Sequence, residues 1–225
     1  MSAGAERWID PERRHRTIVK VCGLTRLQDA HAARRAGADW LGFVVHGDSP
    51  RLVRPEVASN ILTTLPGAVG VAVMVGVGPD EALALARRAD AKRVQLHRVD
   101  PATWPADFPL PAVFAVPVTA EGLLAAPLPP APHLVLLDAD DPLRAGGTGR
   151  RVPWDAAREV AAARPTLLAG GLDGTCVEEA LEAVRPAGVD ASSRLESSPG
   201  IKDHAAVAAF VAAVRRWDAR QPARS

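Results

Sequence analysis

The sequence predicts a single α/β domain folded as a (β/α)8 TIM barrel. Short apolar runs of strand length recur eight times along the chain, and segments with helical spacing of apolar residues lie between most of them. An open, doubly wound sheet is the alternative fold with a similar alternation. That fold predicts a glycine-rich dinucleotide loop after the first strand, and Cys22-Gly23-Leu24-Thr25 is not such a loop. Eight repeated units therefore favour the closed barrel.

The predicted strands are short runs rich in aliphatic and β-branched residues. In chain order they cover 17–22, 40–45, 69–75, 93–97, 112–116, 133–137, 166–169 and 188–191. Their spacing leaves room for one helix and two loops in each unit.

Helices are predicted between most of these strands. Thr25 and Gln28 have the spacing of a capping box, which would open the first helix over 25–35. Pro55 and Pro79 suit the first turn of the next two helices. Helical spacing also covers 80–89, 154–163, 175–184 and 204–217. The segment 101–111 contains four prolines, so the fourth connection is predicted to be irregular.

The chain is predicted to consist of a barrel with two short flanking segments. Residues 1–16 are charged throughout and form a predicted disordered extension, the barrel spans 17–218, and the polar segment 219–225 forms a frayed tail. The extension lacks the apolar stretch of a signal peptide, and the chain has no run of about 18 apolar residues. We therefore expect a soluble cytoplasmic protein.

Composition argues against several functional classes. The chain has 27 basic and 26 acidic residues and a formal net charge of +1, with no basic stripe that would suit nucleic acid. Its two cysteines are far apart in sequence and do not form a disulfide scaffold. The alanine-rich surface is compatible with a monomer or a homodimer.

Two reactive side chains lie where a barrel places its functional groups, at the C-terminal ends of strands. Cys22 ends the first strand, and nearby cations or helix N-termini would favour a thiolate that acts as a base. The alternative for Cys22 is a small apolar filler, the usual state of a free cysteine. Asp138 ends the sixth strand, where a carboxyl group in an apolar setting can have a raised pKa and act as an acid. Its alternative is a cap for the following turn.

Small residues after the last two strands predict a phosphate site. Gly170-Gly171 follows the seventh strand and Ser192-Ser193 follows the eighth. Barrels often bind phosphate in these two loops through backbone N–H groups. Two such turns on neighbouring strands are more informative than one.

Strand alternation predicts a buried ion pair below Cys22. Lys20 shares the inward face of the first strand with Cys22 and would need a partner inside the barrel. Asp190 on the neighbouring eighth strand is the candidate. The alternative is that Lys20 faces solvent at a frayed edge.

Motifs spread over most of the chain resemble the phosphoribosylanthranilate isomerase family of tryptophan biosynthesis. In order, they are KVCGLT (20–25), AGAD (36–39), LGFV (41–44), SPR (49–51), VQLH (94–97), LLD (136–138), GGTG (146–149), LAGGL (168–172), and VD, SS, ES and PGIKD between 189 and 203. Agreement at so many separated positions is not expected by chance.

The resemblance implies an Amadori rearrangement of N-(5-phosphoribosyl)anthranilate to 1-(2-carboxyphenylamino)-1-deoxyribulose 5-phosphate. It implies that Asp138 protonates the ring oxygen and that Cys22 takes the C2′ proton. Arg51 would hold the anthranilate carboxylate and His97 would contact the substrate, while the glycine and serine turns would hold the phosphate. Lys20 and Asp190 would support the site. No metal or organic cofactor is implied, and the partner is a small phosphosugar arylamine.

Five positions depart from the family pattern. Arg98 and Arg194 stand where glycine is usual, Gly76 and Cys176 where asparagine is usual, and Phe114 where lysine is usual. Arg194 lies beside the predicted phosphate site and bears most directly on the substrate.

Three functions are therefore weighed from the sequence. The first is the tryptophan-pathway isomerase, and the second is a related isomerase that acts on another phosphoribosyl arylamine. The third is a barrel that has lost catalysis and binds a ligand or partner. The joint presence of Cys22, Arg51 and Asp138 argues against the third.

Overall fold

Eight parallel strands close into a barrel in the computed structural model, which describes residues 16–139 and 152–221. The strands follow chain order around the barrel, and β8 pairs with β1. They are β1 (Ile18–Val21), β2 (Trp40–Val44), β3 (Val69–Val75), β4 (Arg93–His97), β5 (Ala112–Val118), β6 (Leu134–Ala139), β7 (Thr166–Leu168) and β8 (Gly188–Ala191). The predicted barrel and the order of its strands are confirmed.

Six α-helices lie around the barrel in the described ranges. They are α1 (Leu27–Ala36), α2 (Pro55–Thr63), α3 (Pro79–Arg88), α4 (Trp154–Ala163), α5 (Val177–Val184) and α6 (His204–Arg220). Pro55 and Pro79 begin their helices, as predicted. The fourth connection holds only the short 3-10 turn Pro101–Thr103, which confirms the expected irregularity. None of these helices combines the length and the apolar character that crossing a bilayer requires.

The predicted capping box at the start of α1 is wrong. The helix begins at Leu27, and the residue before it, Arg26, makes no side-chain cap. Thr25 instead donates its hydroxyl to the carbonyl of Gly200, which ties the start of α1 to the chain after β8. Short-range spacing suggested a local partner, whereas the hydroxyl has a distant one.

The C-terminal helix is longer than predicted and continues into the segment expected to be frayed. Arg216 and Arg220 on α6 both pair with Glu178 on α5, and these contacts hold the end of the helix on its neighbour. Other predictions fall outside the described residues. These are the extension up to residue 15, the glycine-rich loop 146–149 and the tail from residue 222.

Apolar side chains fill two layers, one inside the barrel and one between the strands and the helices. The inner layer includes Val71, Leu134 and Leu167, all fully or almost fully buried. Near the C-terminal ends of the strands this layer gives way to polar side chains. These polar side chains form the floor of the pocket at that end of the barrel.

A short two-stranded hairpin after β8 also matters for the site. It consists of β9 (Glu196–Ser198) and β10 (Ile201–Lys202) and follows β8 directly. Pairing of the two strands brings Lys202 back beside Glu196. Both side chains point toward the rim of the barrel through contacts with Arg51 and Ser192.

Candidate active site

The C-terminal end of the barrel opens into a pocket with about 610 Å³ of empty space. Cys22 enters it from the end of β1 and Asp138 from β6. The other predicted substrate-binding residues also line this pocket: Arg51, His97, Gly170, Gly171, Ser192 and Ser193. Residues from six strands or the loops that follow them thus converge on one concave site, as expected for a barrel.

Lys20 lies inside the barrel and pairs with Asp190. Its Nζ donates to the two carboxylate oxygens of Asp190 at 2.9 and 3.0 Å. Lys20 is fully buried and Asp190 nearly so, which excludes the alternative of a solvent-facing lysine. Burial alone would lower the pKa of Lys20, but Asp190 and Cys22 outweigh it and the pKa is raised. The lysine therefore stays charged beneath the thiol.

Lys20→Met should lower the free energy of unfolding by about 3–5 kcal/mol, because it leaves the Asp190 carboxylate buried without its partner. The measurement is urea denaturation of the variant beside the wild type. The double variant with Asp190→Asn carries no stranded charge and should recover part of the loss. A single variant with the wild-type urea midpoint would mean that the pair does not support the fold.

The thiol of Cys22 lies in a confined space between Lys20 and the second strand. A Cβ on Gly42 would come within 2.9 Å of Cys22 Sγ and 3.1 Å of Lys20 Cε, so bare backbone is needed beside the thiol. Burial raises the pKa of Cys22, and Lys20 opposes the shift without overcoming it. Lys20 and Lys202 thus favour the thiolate, in the expected direction, but burial outweighs them and the pKa of Cys22 stays above its usual value. Desolvation of the thiolate exceeds its attraction to the lysine.

Asp138 is a carboxyl group that keeps its proton up to neutral pH. Burial raises its pKa to about 7, and the charge of Asp190 acts in the same direction. The backbone N–H of Ala139 donates to Asp138 Oδ1 at 2.9 Å and opposes the shift. This N–H also orients the carboxyl group. A carboxyl group of this kind is suited to donate a proton at physiological pH.

Gln95 and His97 form a polar pair on the pocket floor. Burial lowers the pKa of His97 to about 4, so the imidazole is neutral near pH 7. Its Nε2 lies 2.9 Å from Nε2 of Gln95, which donates to it. The Oε1 of Gln95 is buried and has no hydrogen-bond partner within residues 16–139 and 152–221. Sequence reasoning noted the motif containing Gln95 but gave this residue no role.

Arg51 is held by an acid that sequence reasoning also left without a role. Its Nε and Nη2 donate to the two carboxylate oxygens of Glu196, each at 2.8 Å. Lys202 donates to the same Glu196 at 2.8 Å and to the carbonyl of Ser192 at 3.1 Å. Nη1 of Arg51 has no hydrogen-bond partner within the described ranges, which leaves this edge available to a ligand in the pocket. The signal that could have identified Glu196 is an acid and a lysine flanking Pro199-Gly200, a turn that folds the chain back on itself.

The two late turns meet at the other side of the pocket. Gly170 and Gly171 have φ of +85° and +67°, a left-handed conformation that glycine adopts without strain. Ser192 and Ser193 lie opposite them, beside Arg194. The exposed N–H groups of such turns are suited to bind an anion.

The departures from the family pattern divide into those inside and outside the pocket. Phe114 packs outside the strand wall, with its ring 5.7 Å from that of Trp104, and Gly76 has open space around it. Cys176 is buried beneath the glycine turn, where its thiol faces the carbonyl of Gly171. Arg98 adopts φ +53°, which explains why glycine suits that position. Of the five departures, Arg194 is the one that lines the pocket.

Comparison with known proteins settles the family. The family model described as N-(5′-phosphoribosyl)anthranilate (PRA) isomerase matches residues 19–213. The chain belongs to this family. An N-(5′-phosphoribosyl)anthranilate isomerase from Geobacter sulfurreducens is 40% identical over 204 residues, which cover 88% of this chain and 98% of that protein.

Solved phosphoribosyl anthranilate isomerases have the same fold. The enzyme from Thermus thermophilus superposes with a TM-score of 0.76 at 33% identity, covering 89% of this chain and 99% of the other. Another, in complex with reduced 1-(o-carboxyphenylamino)-1-deoxyribulose 5-phosphate, gives a TM-score of 0.71 at 29% identity with the same coverage. These phosphoribosylanthranilate isomerases are therefore similar to this chain over nearly their whole length.

Proposed function

We propose that this barrel catalyses the Amadori rearrangement of N-(5-phosphoribosyl)anthranilate to 1-(2-carboxyphenylamino)-1-deoxyribulose 5-phosphate in tryptophan biosynthesis. The observation that carries the proposal is one pocket in which Asp138, with a pKa of about 7, and Cys22 are accompanied by the guanidinium group of Arg51 and by the two glycine- and serine-rich turns. An aldose-to-ketose conversion needs an acid and a base, and this substrate also has a carboxylate and a phosphate to hold.

Asp138 acts first, as the general acid. It donates its proton to the ring oxygen of the furanose, and the C1′–O bond breaks as the anthranilate nitrogen lone pair forms the C1′=N iminium. The raised pKa keeps this proton available near pH 7. The step opens the sugar and leaves Asp138 as a carboxylate.

Cys22 acts second, as the general base. Its thiolate removes the proton from C2′, and the electron pair forms the C1′=C2′ bond while the iminium becomes a neutral amine. The resulting enol then tautomerises to the ketone. Lys20 lies next to the thiol, opposes the burial that raises the pKa of Cys22, and so increases the fraction of thiolate.

Arg51 binds the anthranilate carboxylate with the edge of its guanidinium group that Glu196 leaves open. Glu196 and Lys202 act as positioning residues, because they hold the guanidinium group in one orientation. His97 and Gln95 contact the sugar from the pocket floor, where Oε1 of Gln95, which has no partner among the described residues, accepts a hydrogen bond from a sugar hydroxyl. The turns after β7 and β8 bind the phosphate.

Arg51→Ala should raise KM for the anthranilate-bearing substrate at least about tenfold, because a charge-assisted carboxylate contact is lost. Glu196→Gln should raise KM by a smaller factor, since Arg51 keeps its charge but loses its fixed orientation. Steady-state kinetics on both variants provides the test. An unchanged KM in Arg51→Ala would mean that the carboxylate is held elsewhere.

Complementation tests the proposed function in a cell. The gene for this chain should restore growth without tryptophan to a bacterial strain that lacks its own phosphoribosylanthranilate isomerase. The Asp138→Asn gene, expressed to the same level, should not restore growth at a normal rate. Failure of the wild-type gene, with folded protein present, would favour a related arylamine substrate or a barrel that only binds ligands.

A further inference from the structure

Arg194 lies at the rim of the pocket between the two turns proposed to bind phosphate. It belongs to the 3-10 turn Ser193–Leu195 after β8 and lines the pocket together with Gly170, Gly171 and Ser193. Its side chain is 51% exposed, so the guanidinium group meets solvent at the pocket mouth. The resemblance described above predicts a glycine here, so nothing in the family pattern assigns this side chain a role.

One carboxylate holds one edge of this guanidinium group. Nε and Nη2 of Arg194 lie 3.0 and 2.9 Å from the same oxygen, Oδ2 of Asp173, in the loop after β7. The other oxygen of Asp173 accepts the backbone N–H of Thr175 at 2.8 Å, which fixes the carboxylate in its loop. Arg194 therefore joins the loops after β7 and β8. Its Nη1 has no hydrogen-bond partner in the part of the chain that the structure describes.

We infer that Arg194 is a ligand for the phosphate group of the substrate, which it meets with its open Nη1 edge while Asp173 holds the Nε edge. This inference rests on the proposed phosphate site between the two turns. The planar guanidinium group suits two oxygens of a phosphate, and a fixed edge reduces the entropy lost on binding. The site thereby gains a positive charge that backbone N–H groups do not supply.

The charge of Asp173 makes the inference testable against its alternative, in which Arg194 only latches the two loops together. If Arg194 binds phosphate, its removal takes away a ligand and also exposes the Asp173 carboxylate to the incoming anion. Removal of the Asp173 charge then has the opposite effect, because it leaves the cation without a competitor. If Arg194 is only a latch, both changes break the same contact and have the same effect.

Calorimetric titration of the full chain with inorganic phosphate separates these cases. Arg194→Gln should bind phosphate at least about tenfold more weakly than the wild type. Asp173→Asn keeps an acceptor for Thr175 and should bind phosphate at least as tightly as the wild type. The matched control is Arg88→Gln, which removes a similarly exposed, ion-paired arginine from α3 and should leave phosphate binding unchanged.

Two outcomes would overturn the inference. One is wild-type phosphate affinity in Arg194→Gln, and the other is a loss in Asp173→Asn as large as that in Arg194→Gln. Turnover of phosphoribosylanthranilate by the wild type, measured in parallel, tests the proposed function separately. A wild type without turnover whose phosphate affinity still depends on Arg194 would refute the isomerase while keeping the phosphate ligand.

Discussion

Asp138→Asn is expected to lower kcat at least about 10²-fold while the fold stays intact, because the amide N–H is far too weak an acid to protonate the ring oxygen. The measurement is steady-state turnover of phosphoribosylanthranilate beside a circular dichroism spectrum. Asp155→Asn is a matched control, since Asp155 is 93% exposed on α4 and lies outside the pocket. It should leave turnover unchanged. Near-normal turnover in Asp138→Asn would exclude the proposed acid.

The pH profile carries a second signature of Asp138. The active form of the enzyme has Asp138 protonated and Cys22 deprotonated. Below the pKa of Asp138, about 7, both groups are protonated, and above the raised pKa of Cys22 both are ionised. The wild-type kcat/KM should therefore rise with pH up to about 7, stay level, and fall as the pH passes the pKa of Cys22.

The Asp138→Asn variant should lose the change in slope of the kcat/KM profile near pH 7. In Asp138→Asn only Cys22 titrates, so the residual kcat/KM should rise with pH as the thiolate forms. A variant that keeps the limb near pH 7 would assign it to a group other than Asp138. A wild-type profile that falls as the pH rises through 7 would require a base with a much lower pKa than Cys22 has in this structure.

Cys22→Ser is expected to have an effect of similar size, a fall in kcat of at least about 10²-fold. A serine hydroxyl is nearly isosteric with the thiol but does not form an anion near neutral pH, so the C2′ proton has no acceptor. Turnover and thermal unfolding should be measured on the same preparation. The expected result is a lost activity with a Tm close to that of the wild type.

The second cysteine of the chain supplies the control for this variant. Cys176 is buried below the glycine turn and does not line the pocket. Cys176→Ala should therefore keep most of the turnover. If Cys176→Ala lost as much activity as Cys22→Ser, loss of a buried thiol would be a structural effect and the role of Cys22 as base would not stand.

Much of the fold could be predicted because its signals are local and repeated. Each strand is a short apolar run, and eight runs in sequence leave few other topologies. The pairing of Lys20 with Asp190 also follows from alternation, since a buried lysine on β1 can reach only the strands beside it. The register places these two residues directly opposite each other.

Other features of the fold and the site depend on contacts between distant parts of the chain and on solvation, which the spacing of residues in the sequence does not reveal. The hydroxyl of Thr25 bonds to Gly200, far along the chain, instead of capping its own helix. The support of Arg51 by Glu196 and Lys202 requires a hairpin that folds back over the barrel rim. The raised pKa of Cys22 comes from burial that outweighs a visible lysine, and only the structure gives the balance of the two.

The proposed reaction and both catalytic roles are tested together by turnover of N-(5-phosphoribosyl)anthranilate, measured on the purified chain and on the Cys22→Ser/Asp138→Asn double variant. We expect a wild-type kcat/KM of at least about 10⁴ M⁻¹s⁻¹, with 1-(2-carboxyphenylamino)-1-deoxyribulose 5-phosphate as the product. The folded double variant should lose this activity. A wild type that leaves this substrate unchanged would refute the proposed reaction, and a double variant that converts it equally fast would refute the roles of Cys22 and Asp138.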